Sequence, residues 1–183
     1  MAFSDLVKHR VSVRRFLDKP VEREKIMTCL EAARLAPSAS NSQPWQFIVV
    51  DDEQIIKRLC GAAFNRIYST NAFCKMAPVI VAVISEKSKL VAKIGEFFRG
   101  TKYYLIDIGI ACEHFILQAD DLDLGTCWIG WFNEKAVKST LGIPRRKKVD
   151  VLIALGYYNS GKLCLEHDRK TIDEIASFNS YQA

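Results

Sequence analysis

Arg10, Ser12 and Arg14 stand two residues apart near the start of the chain. In an extended segment this spacing points two guanidinium groups and a hydroxyl to one side. That set suits a phosphate, because charge-assisted arginine–phosphate bonds are strong and often bidentate. The other reading of the triplet is a solvated basic edge. A second polar stretch, Ala36–Phe47 (APSASNSQPWQF), is dense in proline, hydroxyl and amide side chains. It is poor material for helix or strand, and it serves either as a plain connection or as a wrap around a polar ligand. Arg169 and Lys170 open a short helical pattern, TIDEIASF, and would complete the positive cradle. Taken together, these residues point to a phosphorylated ligand.

Motifs that would let the protein do the chemistry alone are missing. There is no G-x-G-x-x-G after a strand, no phosphate-binding G-x-x-x-x-G-K, no G-x-S-x-G and no H-E-x-x-H. A phosphate-binding chain without an obvious nucleophile or acid–base pair fits chemistry carried by a cofactor. The six cysteines (Cys29, Cys60, Cys74, Cys112, Cys127, Cys164) form no C-x-x-C pair, and His9, His114 and His167 stand singly. No metal site is expected, and the thiols read as buried and free in a reducing compartment. The net charge of +5 includes one dense basic run, Arg145 to Lys148 after Pro144. No aromatic residues interleave it, so a solvated loop is expected there rather than a nucleic-acid surface. A positive potential of this size would also attract dinucleotides and phosphates.

These residues must be positioned by one domain, 1–183, of ordinary globular composition: 49% hydrophobic and 26% charged. No apolar run approaches a membrane span, and the charged N-terminus lacks a signal-peptide pattern, so a cytoplasmic location with no membrane partner is expected. Glu22–Leu35 reads as a helix behind Pro20, Gln46–Val50 as a strand and Glu53–Ala63 as a helix. Val79–Ile84 and Asp150–Tyr157 read as strands buried on both faces. Lys102–Leu122 predicts a long helix with one stripe at Tyr104, Ile108, Ala111, Phe115 and Leu122. Leu105, Ile106, Ile110, Cys112 and Ile116 spread around its other side. Such a helix needs cover on two sides, either from a monomeric core or from a second copy of the chain. Strands alternating with helices imply an α/β layered fold around one sheet.

The chain resembles the nitroreductase family of FMN-dependent oxidoreductases along nearly its full length. The carriers are Arg10-x-Ser12-x-Arg14 followed by Phe16, and the loop with Pro37, Ser38, Asn41, Gln43, Pro44 and Trp45. The APVIVAV strand, Asp107-Ile-Gly, GTCWIG at Gly125–Gly130, LGIP at Leu141–Pro144, ALGYY and Arg169-Lys170 follow in the family's order. The resemblance implies an α+β three-layer sandwich, a central mixed sheet flanked by helices, and an intertwined homodimer with FMN at the subunit interface.

By motif match it implies that Arg10, Ser12 and Arg14 bind FMN phosphate, ribityl or pyrimidine groups, with Arg169 and Lys170 adding phosphate charge. Pro37, Ser38, Ser40 and Asn41 would pack on the isoalloxazine from the neighbouring subunit. Ile129, Gly130 and Trp131 would form the turn facing flavin N5 or O4, and Asn71 would hydrogen-bond the ring. The implied reaction passes hydride from NAD(P)H through flavin N5 to a nitroaromatic, quinone or similar small acceptor in ping-pong order. Arg14 would stabilise the reduced flavin electrostatically, with no protein general acid. The alternative is a flavin-binding store or sensor with little turnover. Glu86–Thr101 would form a short lid. Trp131 would either narrow the cleft or pack in the core.

Overall fold

Two apolar runs rich in branched side chains become the middle strands of a four-stranded sheet, where such side chains pack well against neighbours. The structure is a computed structural model and describes residues 1–86, 100–159, 161 and 168–181. Strands β1 (Trp45–Val50), β2 (Val79–Ser85), β3 (Gly125–Ile129) and β4 (Lys148–Gly156) lie in the order β1-β2-β4-β3. All three pairings are antiparallel, with Val81 opposite Val49 on one side and Ile153 on the other. The parallel element of the expected mixed sheet is confined to one bridge, Ser12 with Thr126.

Alternation along β2 and β4 sends side chains to two separate cores. Ile80, Ala82, Ile84, Leu152 and Ala154 face a layer built from α3 (Glu53–Ala63), α5 (Glu134–Leu141) and a 3-10 segment, Arg66–Met76. Val79, Val81, Val83, Val151 and Ile153 face α2 (Arg23–Arg34) and α4 (Tyr103–Asp121). This is the three-layer sandwich. Asp52 starts α3 by accepting from the Ile55 N–H at 2.8 Å, and Asn133 starts α5 by accepting from the Ala136 N–H at 3.2 Å. Gly142, at φ 67°, closes α5 in the left-handed region that glycine enters without strain. Close approach also selects Gly156, where an added Cβ would stand 2.5 Å from Pro78 Cδ.

The helices and strands expected within 22–157 appear within two residues of their expected ends, whereas the helical pattern expected over TIDEIASF is helix only at Ile172–Ile175. The faces of α4 need correction. Cys112 and Ile116 turn into the same core as Ile108 and Phe115, leaving only Leu105 and Ile106 as exposed large apolar residues on the helix. The helix is apolar over most of its circumference near its start, so periodicity left its rotation open. The exposed large apolar side chains of the helix are therefore confined to its first turn.

Two further elements flank the sandwich. A short helix α1 (Phe3–His9) lies against α4, and α6 (Ile172–Ile175) sits in a C-terminal segment whose described residues are all exposed. Thr171 and Glu174 cap the start of α6 with a reciprocal capping box, while Ile172 and Ile175 face outward. The lid expected at Glu86–Thr101 falls mainly on 87–99, outside the described residues. No described helix is long and apolar enough to cross a membrane. Cys29, Cys60, Cys74, Cys112 and Cys127 are buried and free, and burial pushes the first two thiols and Cys112 up to about 12.

Candidate active site

The Arg10–Arg14 segment is held at both ends by the fold. His9 Nδ1 lies 2.9 Å from Asp120 Oδ2, tying the end of α1 to a buried carboxylate of α4. Beyond it the chain extends, and the Val13 N–H donates to the Thr126 carbonyl at 2.8 Å. Val11 and Val13 enter the core, so Arg10, Ser12 and Arg14 share the outward side as the spacing predicts. Arg14 Nη1 makes one long bond to the Ser12 carbonyl, at 3.4 Å. The Arg10 guanidinium and the Ser12 hydroxyl have no hydrogen-bond partner among the described residues, which leaves a set of donors open to an anion. Burial pushes the Cys127 thiol up while the Arg14 charge pulls it back, which puts that charge near β3.

The loop after α2 is more constrained. Ser40, Asn41 and Gln43 hold positive φ angles of 54°, 48° and 46°, conformations costly for residues other than glycine. What holds them is Asp107, a carboxylate near the start of α4. Its Oδ1 accepts the Ala39 N–H at 3.0 Å and its Oδ2 accepts the Ser42 hydroxyl at 3.4 Å. Ser38 Oγ accepts the Gln43 N–H at 3.0 Å, and Gln43 Nε2 donates to Asn41 Oδ1 at 3.0 Å. Pro37, Ser40 and Asn41 are thereby presented at the surface on a fixed frame. Asp107 was visible in the sequence as part of a motif, but its role was not. The available signal was a lone carboxylate at the start of an apolar helix, which must find donors when buried.

The turn after β3 is fixed by the 3-10 segment. Ile129 is buried, Gly130 is exposed, and a Cβ added at Gly130 would meet nothing within 4 Å. Asn71 Nδ2 donates to the Trp131 carbonyl at 2.9 Å, and Trp131 Nε1 donates to the Ile67 carbonyl at 2.9 Å. The Trp131 ring lies 5.1 Å from that of Tyr68. Trp131 nevertheless stays 56% exposed, so within this chain it is a braced surface side chain and not a core residue. A cavity of about 480 Å³ opens beside it, lined by Tyr68, Gly130, Trp131, Lys148 and Asp150 among others. Burial holds the Asp150 carboxyl above its ordinary range against bonds from Ser85.

The pieces do not converge within one chain. The polar loop precedes β1 and the basic segment bridges to β3, and these are the two edge strands of the sheet. Three inter-strand spacings separate them, roughly 14 Å. Arg169 bonds to the Asp168 carbonyl at 3.0 Å, and no hydrogen bond joins Arg169 or Lys170 to Arg10, Ser12 or Arg14. Of the expected site residues, only Asn71 joins the Ile129–Trp131 turn directly.

A model of the nitroreductase family matches residues 7–157, which include the basic segment, the polar loop and the Gly130 turn. The chain belongs to the nitroreductase family. Within it, an Archaeoglobus fulgidus protein provisionally named an NADH dehydrogenase/NAD(P)H nitroreductase is 32% identical over 89% of each chain. An iodotyrosine deiodinase of Thermotoga neapolitana is 26% identical over 86% of this chain and 89% of its own. The solved structure of an FMN-dependent nitroreductase from Clostridium difficile R20291 superposes with a TM-score of 0.73 at 29% identity, covering 96% of this chain and 98% of its own. Nitroreductase-family members of this kind share the whole sandwich and not an isolated motif.

Proposed function

We propose that the protein is an FMN-dependent NAD(P)H oxidoreductase that reduces nitroaromatics, quinones or similar small acceptors, working as a homodimer. The observation that carries this reading is the open set of donors on Arg10, Ser12 and Arg14, aligned on one side of a segment bonded to β3. That set fits a phosphate and an anionic ring edge. At the other end of β3, Gly130 carries no side chain, so a flat ring is free to approach the backbone N–H groups of the turn. Bound FMN would supply the redox chemistry, taking hydride from a nicotinamide donor and releasing it to an acceptor in the same cleft. The chain's own residues bind and orient. Arg14 places a positive charge where negative charge develops, Asn71 and Ile67 hold the Trp131 wall, and Asp107 holds the polar loop.

The separation of the polar loop from the basic segment across the sheet supports a site completed by two chains. The apolar residues left outside the sandwich, among them Leu105, Ile106, Phe178 and Tyr181, supply surface for that contact. A flavin store or sensor is the second reading, and the braced Trp131 beside the turn favours it by narrowing access.

A flavin absorbance spectrum after purification, bleached anaerobically by NADH or NADPH, is the expected result. A flavin spectrum that neither donor bleaches selects the store, and a colourless protein that refuses added FMN removes both readings. Arg10→Ala should weaken FMN binding by about 1.5–3 kcal/mol. Mixing Arg10→Ala with Asn41→Ala chains should restore one intact site in two if each site draws on both chains.

A further inference from the structure

The basic run after Pro144 is not a free loop. Glu134, on the first turn of α5, draws the run back against the sheet: its carboxylate takes Lys138 Nζ at 2.7 Å, Lys148 Nζ at 2.5 Å and the Val149 N–H at 3.1 Å. Burial works against this ionised form, but the two lysines and the Val149 N–H outweigh it and bring the carboxyl down to about 2. Lys138 also donates to the Arg145 carbonyl at 3.4 Å, and Lys147 pairs with Glu86. The Glu86 N–H in turn donates to the Pro44 carbonyl at 2.9 Å, at the end of the polar loop. The turn 144–147 is therefore fixed at the same end of the sheet as that loop and the Gly130–Trp131 turn.

With Glu134 occupied by two lysines, Lys135, Arg145 and Arg146 are exposed and have no ion-pair partner among the described residues. A cavity of about 830 Å³ lies between α5 and the turn, bordered by Glu134, Lys135, Lys138, Ser139, Gly142 and Arg145. It shares Glu134 and Lys135 with the cavity beside Trp131. A nicotinamide dinucleotide presents a pyrophosphate, and in one form a 2′-phosphate, that need positive partners away from the reacting ring. The glycine-rich phosphate loop that usually supplies them is missing from this sequence.

We infer that the cavity between α5 and the turn 144–147, with Lys135 and Arg145 as its charges, binds the phosphates of the nicotinamide donor. This rests on the oxidoreductase reading. It assigns the basic run a part in donor choice, separate from the FMN cradle at Arg10–Arg14. Because Lys135 and Arg145 are exposed, truncating them leaves the core packing intact.

The test uses the FMN-loaded protein with Lys135→Ala, Arg145→Ala and the double variant. Three donors are compared: NADPH, NADH and N-benzyl-1,4-dihydronicotinamide, which has no phosphate. Binding of adenosine 2′,5′-bisphosphate is followed separately by calorimetry. Each single variant should raise the KM of a phosphorylated donor roughly three- to tenfold, with the uncharged donor unmoved. A shift confined to NADPH, with weakened bisphosphate binding, assigns the 2′-phosphate; a shift with both dinucleotides assigns the pyrophosphate. Equal shifts for all three donors, or none for any, overturn the proposal. If the wild-type flavin is bleached by none of the donors, the oxidoreductase reading fails first and takes this inference with it.

Discussion

Ile80, the second residue of β2, is completely buried, whereas Ile172, in α6, is 70% exposed. The two have the same side chain and gain the same free energy from leaving water, about 2 kcal/mol when burial is complete. Ile80 collects it inside one chain, from β1, β4 and the layer over them. Ile172 does not, and neither do Ile175, Phe178 and Tyr181, the last two being 82% and 89% exposed. The sandwich is thus finished as a unit. The C-terminal segment is an apolar strip that starts on a locally capped helix and runs on past it, and in the proposed homodimer its cover is the second copy. Under that proposal, a monomer sufficient to fold and a dimer required for the site would be compatible demands, met by different regions.

The sharpest way to break this contrast is to change the strip. Phe178→Asp with Tyr181→Ser should convert the dimer to a species of half the mass in analytical ultracentrifugation, while the urea midpoint of the isolated chain stays close to wild type. A wild-type protein that already sediments as a monomer at micromolar concentration would end the comparison. Leu152→Ala, in the finished sandwich, should do the reverse. It should cost about 2–5 kcal/mol in urea unfolding and leave the sedimenting mass unchanged.

The smallest expected effect belongs to the sandwich's own surface, at Glu134 on α5. Its carboxyl sits at about 2 in the folded chain against an ordinary 4.5, so it contributes stability above pH 4.5 that is lost as pH falls toward 2. Glu134→Gln should flatten that acid limb by about 1 kcal/mol, read from denaturant midpoints at pH 5 and pH 3.

The regions also differ in how well the sequence announced them. VIVAVI allows little besides a buried strand, and the periodicity of Glu53–Ala63 fixes a helix to the residue. β3 is only five residues long and starts at a glycine, so it stood out as a motif and not as a strand. The 3-10 segment Arg66–Met76 has no amphipathic period, and what it does, holding Trp131 through the Ile67 carbonyl and Asn71, depends on contacts 64 and 60 positions away. Such long-range pairings leave no local trace. The alignment of Arg10, Ser12 and Arg14 was legible because period two is a local property, whereas the loop's dependence on Asp107 was not. The antiparallel order of the sheet was hidden for a related reason, since strand direction is set by connections and not by composition.

The single bridge from Ser12 to Thr126 has a consequence apart from ligand binding. β3 is an edge strand, and an edge with open N–H and C=O groups invites pairing with another molecule's edge. The segment carrying Arg10, Ser12 and Arg14 lies along that edge, and its Val13 N–H takes the Thr126 carbonyl. Its outward charges, which in the proposed function would hold a phosphate, would also guard the unloaded chain against strand-to-strand aggregation. Shortening the N-terminus would thus lower solubility before flavin affinity could be measured.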